Sequence, residues 1–307
     1  MNHKIGDKMN IFGKLITAMV TPFDEEGKLD AKKGGELALK LCNEGSDSIL
    51  VCGTTGESPT MTEDEQFELL REVKKSLGNK YPVMMGTGSN NTEHAIKKSR
   101  KAVEEGADGL LLVAPYYNKP PQAGLFEHFS KIAQACEKTP IILYNIPGRT
   151  GINIENDTIK KLVTQHKNIV AVKDAVGNVD KTSSLALTMN VYDSDFTIYS
   201  GDDSLTLPMM CCGASGVISV ASHIAGLEIK DMINSFLTGD IEKARRLHLK
   251  LLPLFKGLFE TTNPILVKEA LKLQGIDVGS PRLPLVKATK EQSDKLKNII
   301  ENLKKFT

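Results

Sequence analysis

Tryptophan is missing from the 307-residue sequence, aromatic residues make up only 5% of it, and neither sign of charge is in excess. Its 39 Lys and Arg residues oppose 38 Asp and Glu residues, which leaves a formal net charge of +1. Because proteins that bind nucleic acids or membrane surfaces usually carry a basic excess, this balance predicts neither partner. The 40% of hydrophobic residues is too high for a disordered chain and is typical of a globular protein.

Long apolar stretches are also lacking. No run approaches the roughly 18 residues of a membrane span, and residues 1–8 do not resemble the apolar part of a signal peptide. The five cysteines form no C-x-x-C pair, and an odd number of cysteines in a chain of this size favours reduced thiols. We therefore predict a cytoplasmic protein.

Motifs for metals and nucleotides are absent as well. The six histidines show no ligand spacing such as H-E-x-x-H, and no glycine-containing stretch ends in the Lys-Ser/Thr pair of a P-loop. The sequence therefore predicts no metal site and no nucleotide cofactor.

The sequence does contain a series of short apolar runs. Their starts lie roughly 20 to 35 residues apart, and amphipathic segments rich in Lys and Glu separate most of them. Continuous apolar runs are typical of strands that are buried on both faces of a parallel sheet. The eight runs are Leu15–Val20, Ser48–Gly53, Val83–Gly88, Gly109–Pro115, Ile141–Ile146, Ile169–Ala175, Phe196–Gly201 and Gly216–Val220.

Serial alternation of strands and helices predicts an α/β protein whose eight strands close into a (β/α)8 TIM barrel. Helical patterns alone follow the last strand, at Leu227–Leu237, Ile241–Gly257, Ile265–Leu273 and Glu291–Lys305. We expect an N-terminal tail (residues 1–12), a catalytic barrel (13–225) and a C-terminal helical domain (226–307). The alternative is an open doubly wound sheet, but no Gly-x-Gly-x-x-Gly turn follows the first strand.

Lys173 is the most informative single residue, because it interrupts the apolar sixth strand. In a parallel barrel the active site lies at the carboxyl ends of the strands. A lysine that points into the barrel loses solvation, which lowers its pKa and makes the neutral amine available to attack a ketone. The alternative is a lysine that forms an ion pair at the barrel mouth, with Asp174 or Glu57 as partner.

Four other polar groups lie at predicted strand ends, and each also has a purely structural explanation. Thr54 and Thr55 lie between glycines and suit a carboxylate, but they also fit an ordinary turn. Tyr144 could carry protons or only pack, and Arg149 could bind a carboxylate through two hydrogen bonds or only face solvent. Tyr117, in a stiff loop with several prolines, could equally belong to an interface or a lid.

Taken together, these motifs resemble the dihydrodipicolinate synthase family, within the pyruvate-dependent class I aldolase superfamily that includes N-acetylneuraminate lyase. The resemblance extends from about Ile11 to the C-terminus. The segments that carry it occur in order and are Gly53–Ser58, Pro115–Asn118, Tyr144–Thr150, Val172–Ala175, Ser200–Asp203 and Gly216–Val220.

The resemblance implies a role for each candidate residue. It implies that Lys173 forms the Schiff base with pyruvate and that Tyr144 donates and accepts protons. Thr55 and Tyr117 match the other members of a proton relay, with Tyr117 reaching the site of a neighbouring subunit. The remaining positions match substrate-binding groups: Thr54 and Thr55 for the pyruvate carboxylate, Arg149 for the carboxylate of the second substrate, and the backbone carbonyls of Gly201 and Ile218 for the pocket wall.

The implied reaction condenses pyruvate with L-aspartate 4-semialdehyde, a step of diaminopimelate and lysine biosynthesis, through a covalent imine on Lys173. It makes the chain a lyase that needs no metal or organic cofactor. It also implies a tight dimer as the catalytic unit and a homotetramer as the assembly, although the sequence does not decide between dimer and tetramer. Two alternatives stay open: another pyruvate-lysine aldolase of the superfamily, such as a sugar-acid lyase, and a non-catalytic binding barrel.

Inhibition by L-lysine is expected to be weak or absent. In regulated members of the family the inhibitor binds at the tight dimer interface, and Ser58, Asn90 and Tyr116 fit that site. The positions that depart from it are Pro59, Glu63, Gln66 and His94. A histidine at position 94, where sensitive members carry a glutamate, removes an attraction for the ammonium group of lysine.

Overall fold

The structure is a computed structural model that describes residues 11–191 and 194–305. Most of the predicted N-terminal tail lies outside these residues. Its last residue, Phe12, is buried and lies shortly before the first strand, which begins at Leu15.

Eight parallel strands form a closed barrel in the order in which they occur in the chain. They are β1 (Leu15–Ala18), β2 (Ser48–Val51), β3 (Val83–Gly86), β4 (Gly109–Val113), β5 (Ile141–Asn145), β6 (Ile169–Asp174), β7 (Thr197–Ser200) and β8 (Gly216–Ser219). All eight predicted strands are confirmed, and almost every residue in them is buried, as their continuous apolar sequence requires. The closed barrel confirms the predicted fold class, and the alternative of an open sheet is wrong.

The helices alternate with the strands and then continue alone. They are α1 (Ala31–Asn43), α2 (Glu63–Leu77), α3 (Thr92–Glu104), α4 (Gln122–Ala135), α5 (Pro147–Thr150), α6 (Asn156–Gln165), α7 (Val179–Met189), α8 (Thr206–Cys211), α9 (Ser222–Leu237), α10 (Ile241–Gly257), α11 (Ile265–Leu273) and α12 (Lys290–Lys305). Short 3₁₀ turns lie at Ser58–Thr60 and Asp203–Leu205. Helices α10 and α11 have the predicted bounds. Helix α9 begins five residues earlier than expected, and a kink at Ala225 marks the junction.

Helix α2 shows how local sequence fixes these elements. The hydroxyl of Thr62 accepts a hydrogen bond from the backbone N–H of Glu65, and the Glu65 carboxylate accepts one from the N–H of Thr62. This reciprocal pair is a capping box, and it satisfies two backbone donors that a helix start would otherwise leave unpaired. The helix buries an apolar stripe that consists of Leu69, Leu70, Val73 and Leu77.

Strand register brings the residues of one candidate site into line. Val113 on β4 pairs with Tyr144 on β5, which pairs with Lys173 on β6, which pairs with Tyr199 on β7. The carboxyl ends of β5 and β6 therefore place Tyr144 and Lys173 side by side.

The chain groups into two compact units. Among the described residues, one unit comprises residues 11–14 with residues 82–191 and 194–218, and the other comprises Leu15–Tyr81 with residues 219–305. This grouping does not test the predicted boundary at residue 225, which stays a prediction. Within the described ranges, no helix combines the length and the apolar composition needed to cross a membrane.

Candidate active site

A lysine and a tyrosine form the centre of the candidate site in the first unit. The Nζ of Lys173 lies 4.5 Å from the centroid of the Tyr144 ring. Only 6% of Lys173 and 5% of Tyr144 is exposed, so the amine lies among protein groups and not in bulk water. The structure therefore places the two principal candidates in direct contact.

Burial gives the Lys173 amine a lower pKa than that of an ordinary lysine. Loss of solvation lowers its pKa from 10.5 to about 8; the charge of Asp203 raises the pKa and that of Arg149 lowers it. With a pKa near 8, about a tenth of the amine is neutral at pH 7, compared with roughly 0.04% for an ordinary lysine. The site thus contains an amine that can act as a nucleophile near neutral pH.

The ion-pair alternative for Lys173 named two acids, and the structure gives both of them other partners. The Asp174 carboxylate accepts hydrogen bonds from the N–H of Val176 at 3.0 Å and from the hydroxyl of Thr182 at 2.9 Å. Glu57 pairs with Lys268, at 2.6 Å between Oε1 and Nζ. The acid whose charge acts on Lys173 is Asp203, which is buried in the loop after β7 and which the sequence did not single out.

Arg149 lies on α5, the short helix that follows β5, and its side chain is exposed. Two neighbours hold this loop in place. The carboxamide of Asn145 accepts from the N–H of Ile154 at 3.0 Å and donates to the side chain of Asn153 at 2.9 Å. The hydroxyl of Thr150 lies 3.0 and 2.9 Å from two backbone carbonyl oxygens of the same loop and can donate its one proton to either. The guanidinium is therefore presented to solvent from a fixed backbone.

Gly201 and Ile218 are placed at the ends of β7 and β8. A Cβ atom at Gly201 would lie 2.6 Å from the Cβ of Ala175, so only glycine fits there. The N–H of Gly201 donates to the carbonyl of Asp174 at 2.7 Å, and Ile218 is buried. Their backbones are thus closely packed, while their role as pocket wall stays a prediction.

Tyr117 differs from the other candidates because 91% of it is exposed. Its backbone has a φ of +73°, in the left-handed region that costs a bulky residue free energy. No residue in the described ranges buries the ring to compensate for this cost. An exposed and strained aromatic residue agrees with the expectation that Tyr117 acts on a second subunit, which the single chain does not test.

Thr54 and Thr55 follow β2 in the second unit. Thr54 is partly exposed, whereas Thr55 is buried with 3% of it exposed. The Nδ2 of Asn263 donates a hydrogen bond to the Thr55 hydroxyl oxygen at 2.9 Å. Asn263 precedes α11, and sequence analysis missed it because nothing in its local pattern indicates a contact 208 residues away.

The loop after β2 is held by a second group of charges, which we call the loop clamp: Glu57, Glu65, Lys268 and Arg282. Besides the buried pair between Glu57 and Lys268, the backbone N–H of Arg282 donates to Glu57 at 2.8 Å. The guanidinium of Arg282 binds both oxygens of Glu65, at 2.6 and 2.9 Å. Because Glu57 has a left-handed φ of +54°, these contacts fix a strained turn beside Thr55.

Metal ligands are not grouped in the parts of the chain that the structure describes: no three His, Cys, Asp or Glu side chains lie where they could hold an ion.

An eight-stranded parallel barrel with a buried, partly neutral lysine at the end of its sixth strand is the arrangement of an aldolase-type enzyme. Comparison with known proteins then identifies the family. The model of the Dihydrodipicolinate synthetase family matches residues 11–303, so the chain belongs to this family.

Individual relatives agree over nearly the whole chain. The protein named 4-hydroxy-tetrahydrodipicolinate synthase from Acaryochloris marina is 51% identical over 96% of this chain and 99% of its own length. Its namesake from Prochlorococcus marinus (strain MIT 9515) is 54% identical over 95% of this chain and 96% of its own. A crystal structure of DHDPS from Cyanidioschyzon merolae with lysine bound superposes with a TM-score of 0.93 at 46% identity, covering 95% of this chain and 98% of that one.

Proposed function

We propose that the chain is a 4-hydroxy-tetrahydrodipicolinate synthase that condenses pyruvate with L-aspartate 4-semialdehyde through a Schiff base on Lys173. One observation carries the proposal: Lys173 is buried against Tyr144, and its pKa is lowered to about 8. Family membership, together with relatives that are about half identical over nearly their full length, supports the choice of substrates.

In the proposed reaction, the neutral Lys173 amine attacks the ketone carbon of pyruvate, and loss of water gives the imine. The protonated imine withdraws electrons, so a methyl proton can leave to give an enamine. The enamine carbon attacks the aldehyde carbon of the semialdehyde, whose oxygen takes up a proton. The substrate amine then attacks the imine carbon, closes the ring and releases Lys173.

Proton transfer requires a group beside the imine, and Tyr144 is in contact with the Lys173 amine. We assign it this role, with Thr55 and Tyr117 as the other members of the relay. We assign the pyruvate carboxylate to Thr54 and Thr55, and the semialdehyde carboxylate to Arg149, whose planar guanidinium can form two parallel hydrogen bonds. Gly201 and Ile218 complete the proposed site. These roles follow from the family resemblance, and the scheme uses no metal or cofactor.

A borohydride experiment tests the covalent step. Incubation with pyruvate and sodium borohydride should reduce the imine and add one pyruvate-derived group to the protein. Peptide mapping should find it on Lys173. Lys268 serves as an internal control, because it too is buried with a lowered pKa, but it is paired to Glu57. We therefore expect no adduct on Lys268, and none anywhere in Lys173→Ala, which should be folded and inactive.

The same borohydride experiment, together with assays of turnover, distinguishes the proposal from a non-catalytic binding barrel and from another pyruvate-lysine aldolase. A binding barrel without catalysis would not form the adduct. A different pyruvate-lysine aldolase would form it but would turn over a sugar acid in preference to L-aspartate 4-semialdehyde. Efficient condensation with the semialdehyde supports the proposal, and near-normal condensation by Lys173→Ala would overturn the Schiff-base mechanism.

A further inference from the structure

The contact between Asn263 and Thr55 lies in the second unit and joins distant parts of the chain. Both residues are almost completely buried, with 5% and 3% exposed. The amide nitrogen of Asn263 is 2.9 Å from the Thr55 hydroxyl oxygen. A buried hydrogen bond of this length is well formed, and water does not compete for it.

This hydrogen bond has a direction with chemical consequences. A hydroxyl group can donate one hydrogen bond and accept two, whereas an amide nitrogen only donates. When Asn263 donates, the Thr55 oxygen is the acceptor, and its own proton must point to a different partner. The amide therefore keeps the Thr55 O–H available for donation, and the lone pair facing Asn263 is already used.

The segment that carries Asn263 is itself anchored to the same loop. Lys268, five residues further along the chain, forms the buried ion pair with Glu57, two residues after Thr55. The Nζ of Lys268 also lies 4.3 Å from the centroid of the Phe23 ring. Because both ends of the contact are fixed in this way, the amide cannot easily follow the hydroxyl if the hydroxyl rotates.

We propose that Asn263 is a positioning residue, which directs the Thr55 hydroxyl so that its proton is available to the relay during catalysis. The inference rests on the proposed function, in which Thr55 transfers protons. Asn263 acts only through Thr55, so its contribution should disappear when the Thr55 hydroxyl is removed.

The decisive substitution is Asn263→Asp, which preserves the size and shape of the side chain. An ionised carboxylate only accepts hydrogen bonds, so it would draw the Thr55 proton toward itself and away from the relay. We expect kcat to fall by about 10- to 100-fold, somewhat less than the loss of a proton-transfer group itself. The KM for pyruvate should change by less than about threefold, because Thr54 and the backbone N–H groups of the turn can still bind the carboxylate.

A double-mutant cycle separates positioning from a general effect on the fold. It uses Asn263→Asp, Thr55→Val and the combination of both. In the Thr55→Val background, Asn263→Asp should lower kcat by less than about threefold, since no hydroxyl remains to be directed. Thr60→Val is the matched control: it removes another hydroxyl from the same loop, one that donates to the Glu57 carbonyl at 3.0 Å, and should leave kcat within about twofold.

The outcomes are distinct. Equal losses of kcat in both backgrounds would overturn the inference and assign Asn263 a structural role only, as would an unchanged kcat in Asn263→Asp. If Asn263→Asp does not fold, Asn263→Ala takes its place in the cycle, and full activity of that variant would also overturn the inference. A wild-type protein without a borohydride adduct, or a fully active Thr55→Val, would instead show that the proposed function or the relay is wrong.

Discussion

The Lys173 amine lies 4.5 Å from the centroid of the Tyr144 ring, and the two residues pair in register on adjacent strands. The negative face of an aromatic ring attracts a cation, so Tyr144 partly compensates for the lost solvation of the ammonium group. Burial nevertheless dominates, since the pKa of Lys173 is lowered to about 8. The pair therefore holds an amine that changes between charged and neutral forms close to neutral pH.

The first prediction concerns the pH dependence of imine formation. Below its pKa of about 8 the Lys173 amine is mostly protonated, so the initial rate of borohydride trapping should rise as the pH is raised through that value. The charge of Asp203 raises this pKa. Asp203→Asn should therefore move the midpoint of the rate profile to lower pH. The measurement is the trapping rate between pH 6 and 10 (about two units on either side of the pKa).

Asp202→Asn is the matched control for that experiment. Its carboxylate caps the short turn after β7 by accepting from the N–H and hydroxyl of Ser204, and an asparagine can accept the same bonds. The midpoint should stay near the wild-type value in Asp202→Asn. A shift to higher pH in Asp203→Asn would show that Asp203 does not act on the amine through its charge.

Removing the hydroxyl group of Tyr117 should lower turnover more than it weakens substrate binding. The ring is exposed on the single chain, and the relay role requires its hydroxyl. Tyr117→Phe should lower kcat by about 10²- to 10³-fold, the scale of a positioned proton-transfer group. Steady-state kinetics decide the point: a change confined to KM would make Tyr117 a binding residue.

Mixed oligomers test whether Tyr117 acts on the neighbouring subunit. Tyr117→Phe and Lys173→Ala are each expected to be nearly inactive. After subunit exchange, a hybrid dimer would contain one site with an intact lysine from one protomer and an intact tyrosine from the other. Recovery of activity on mixing supports the arrangement across the dimer, and no recovery despite proven exchange contradicts it.

Arg149→Ala should impair the reaction with L-aspartate 4-semialdehyde far more than the formation of the imine with pyruvate. Loss of the hydrogen bonds to the semialdehyde carboxylate should cost about 2 kcal/mol, a roughly 30-fold fall in kcat/KM for that substrate. Pyruvate should still be trapped on Lys173, because the amine is independent of Arg149 except for a charge that lowers its pKa. Arg149→Lys keeps the charge but not the planar group, and should recover only part of the loss. Failure to trap pyruvate would assign Arg149 to pyruvate or to the fold.

L-lysine should inhibit weakly or not at all. The sequence departs from the inhibitor site of regulated family members, and the structure gives a further reason to expect weak inhibition. The Gln66 side chain is buried, and its amide nitrogen donates to the carbonyls of Ser58 and Met61 at 3.0 and 3.2 Å. Those donors hold the loop after β2 and are not available to a ligand. Initial rates at increasing lysine concentration check this, and half-inhibition below about 1 mM, an affinity near 4 kcal/mol, would show the prediction wrong.

Sequence alone predicted the barrel because its strands are signalled locally. Each strand is a continuous apolar run between amphipathic helices. The common closed arrangement of eight such units is the (β/α)8 barrel. Lys173 was found in the same way, since a charged residue inside an apolar run is conspicuous. The helix α10 was predicted to the residue, and the structure shows that Asp240 caps its start by accepting from the N–H of Lys243.

The partners of these residues could not be predicted, because they depend on tertiary contacts without local signals. Asp174 follows Lys173 directly in the sequence, and Glu57 was expected at the same mouth of the barrel, so both were considered as partners of Lys173. Strand alternation instead turns Asp174 away from its neighbour and toward Thr182, and Glu57 binds Lys268. Charge patterns along a chain do not tell which opposite charges meet after folding.

The loop clamp has a consequence for the order in which the protein matures during synthesis. Glu57 and the backbone N–H of Arg282 that it binds are separated by 225 residues. At roughly 5–20 residues per second, a ribosome needs about 10 to 45 s to make the chain between them. Through that interval the turn that carries Thr54 and Thr55 lacks the contacts that hold Glu57 in its strained conformation. A nascent chain can thus complete its last strand and still lack the finished turn, so activity should appear only once the C-terminal segment has left the ribosome.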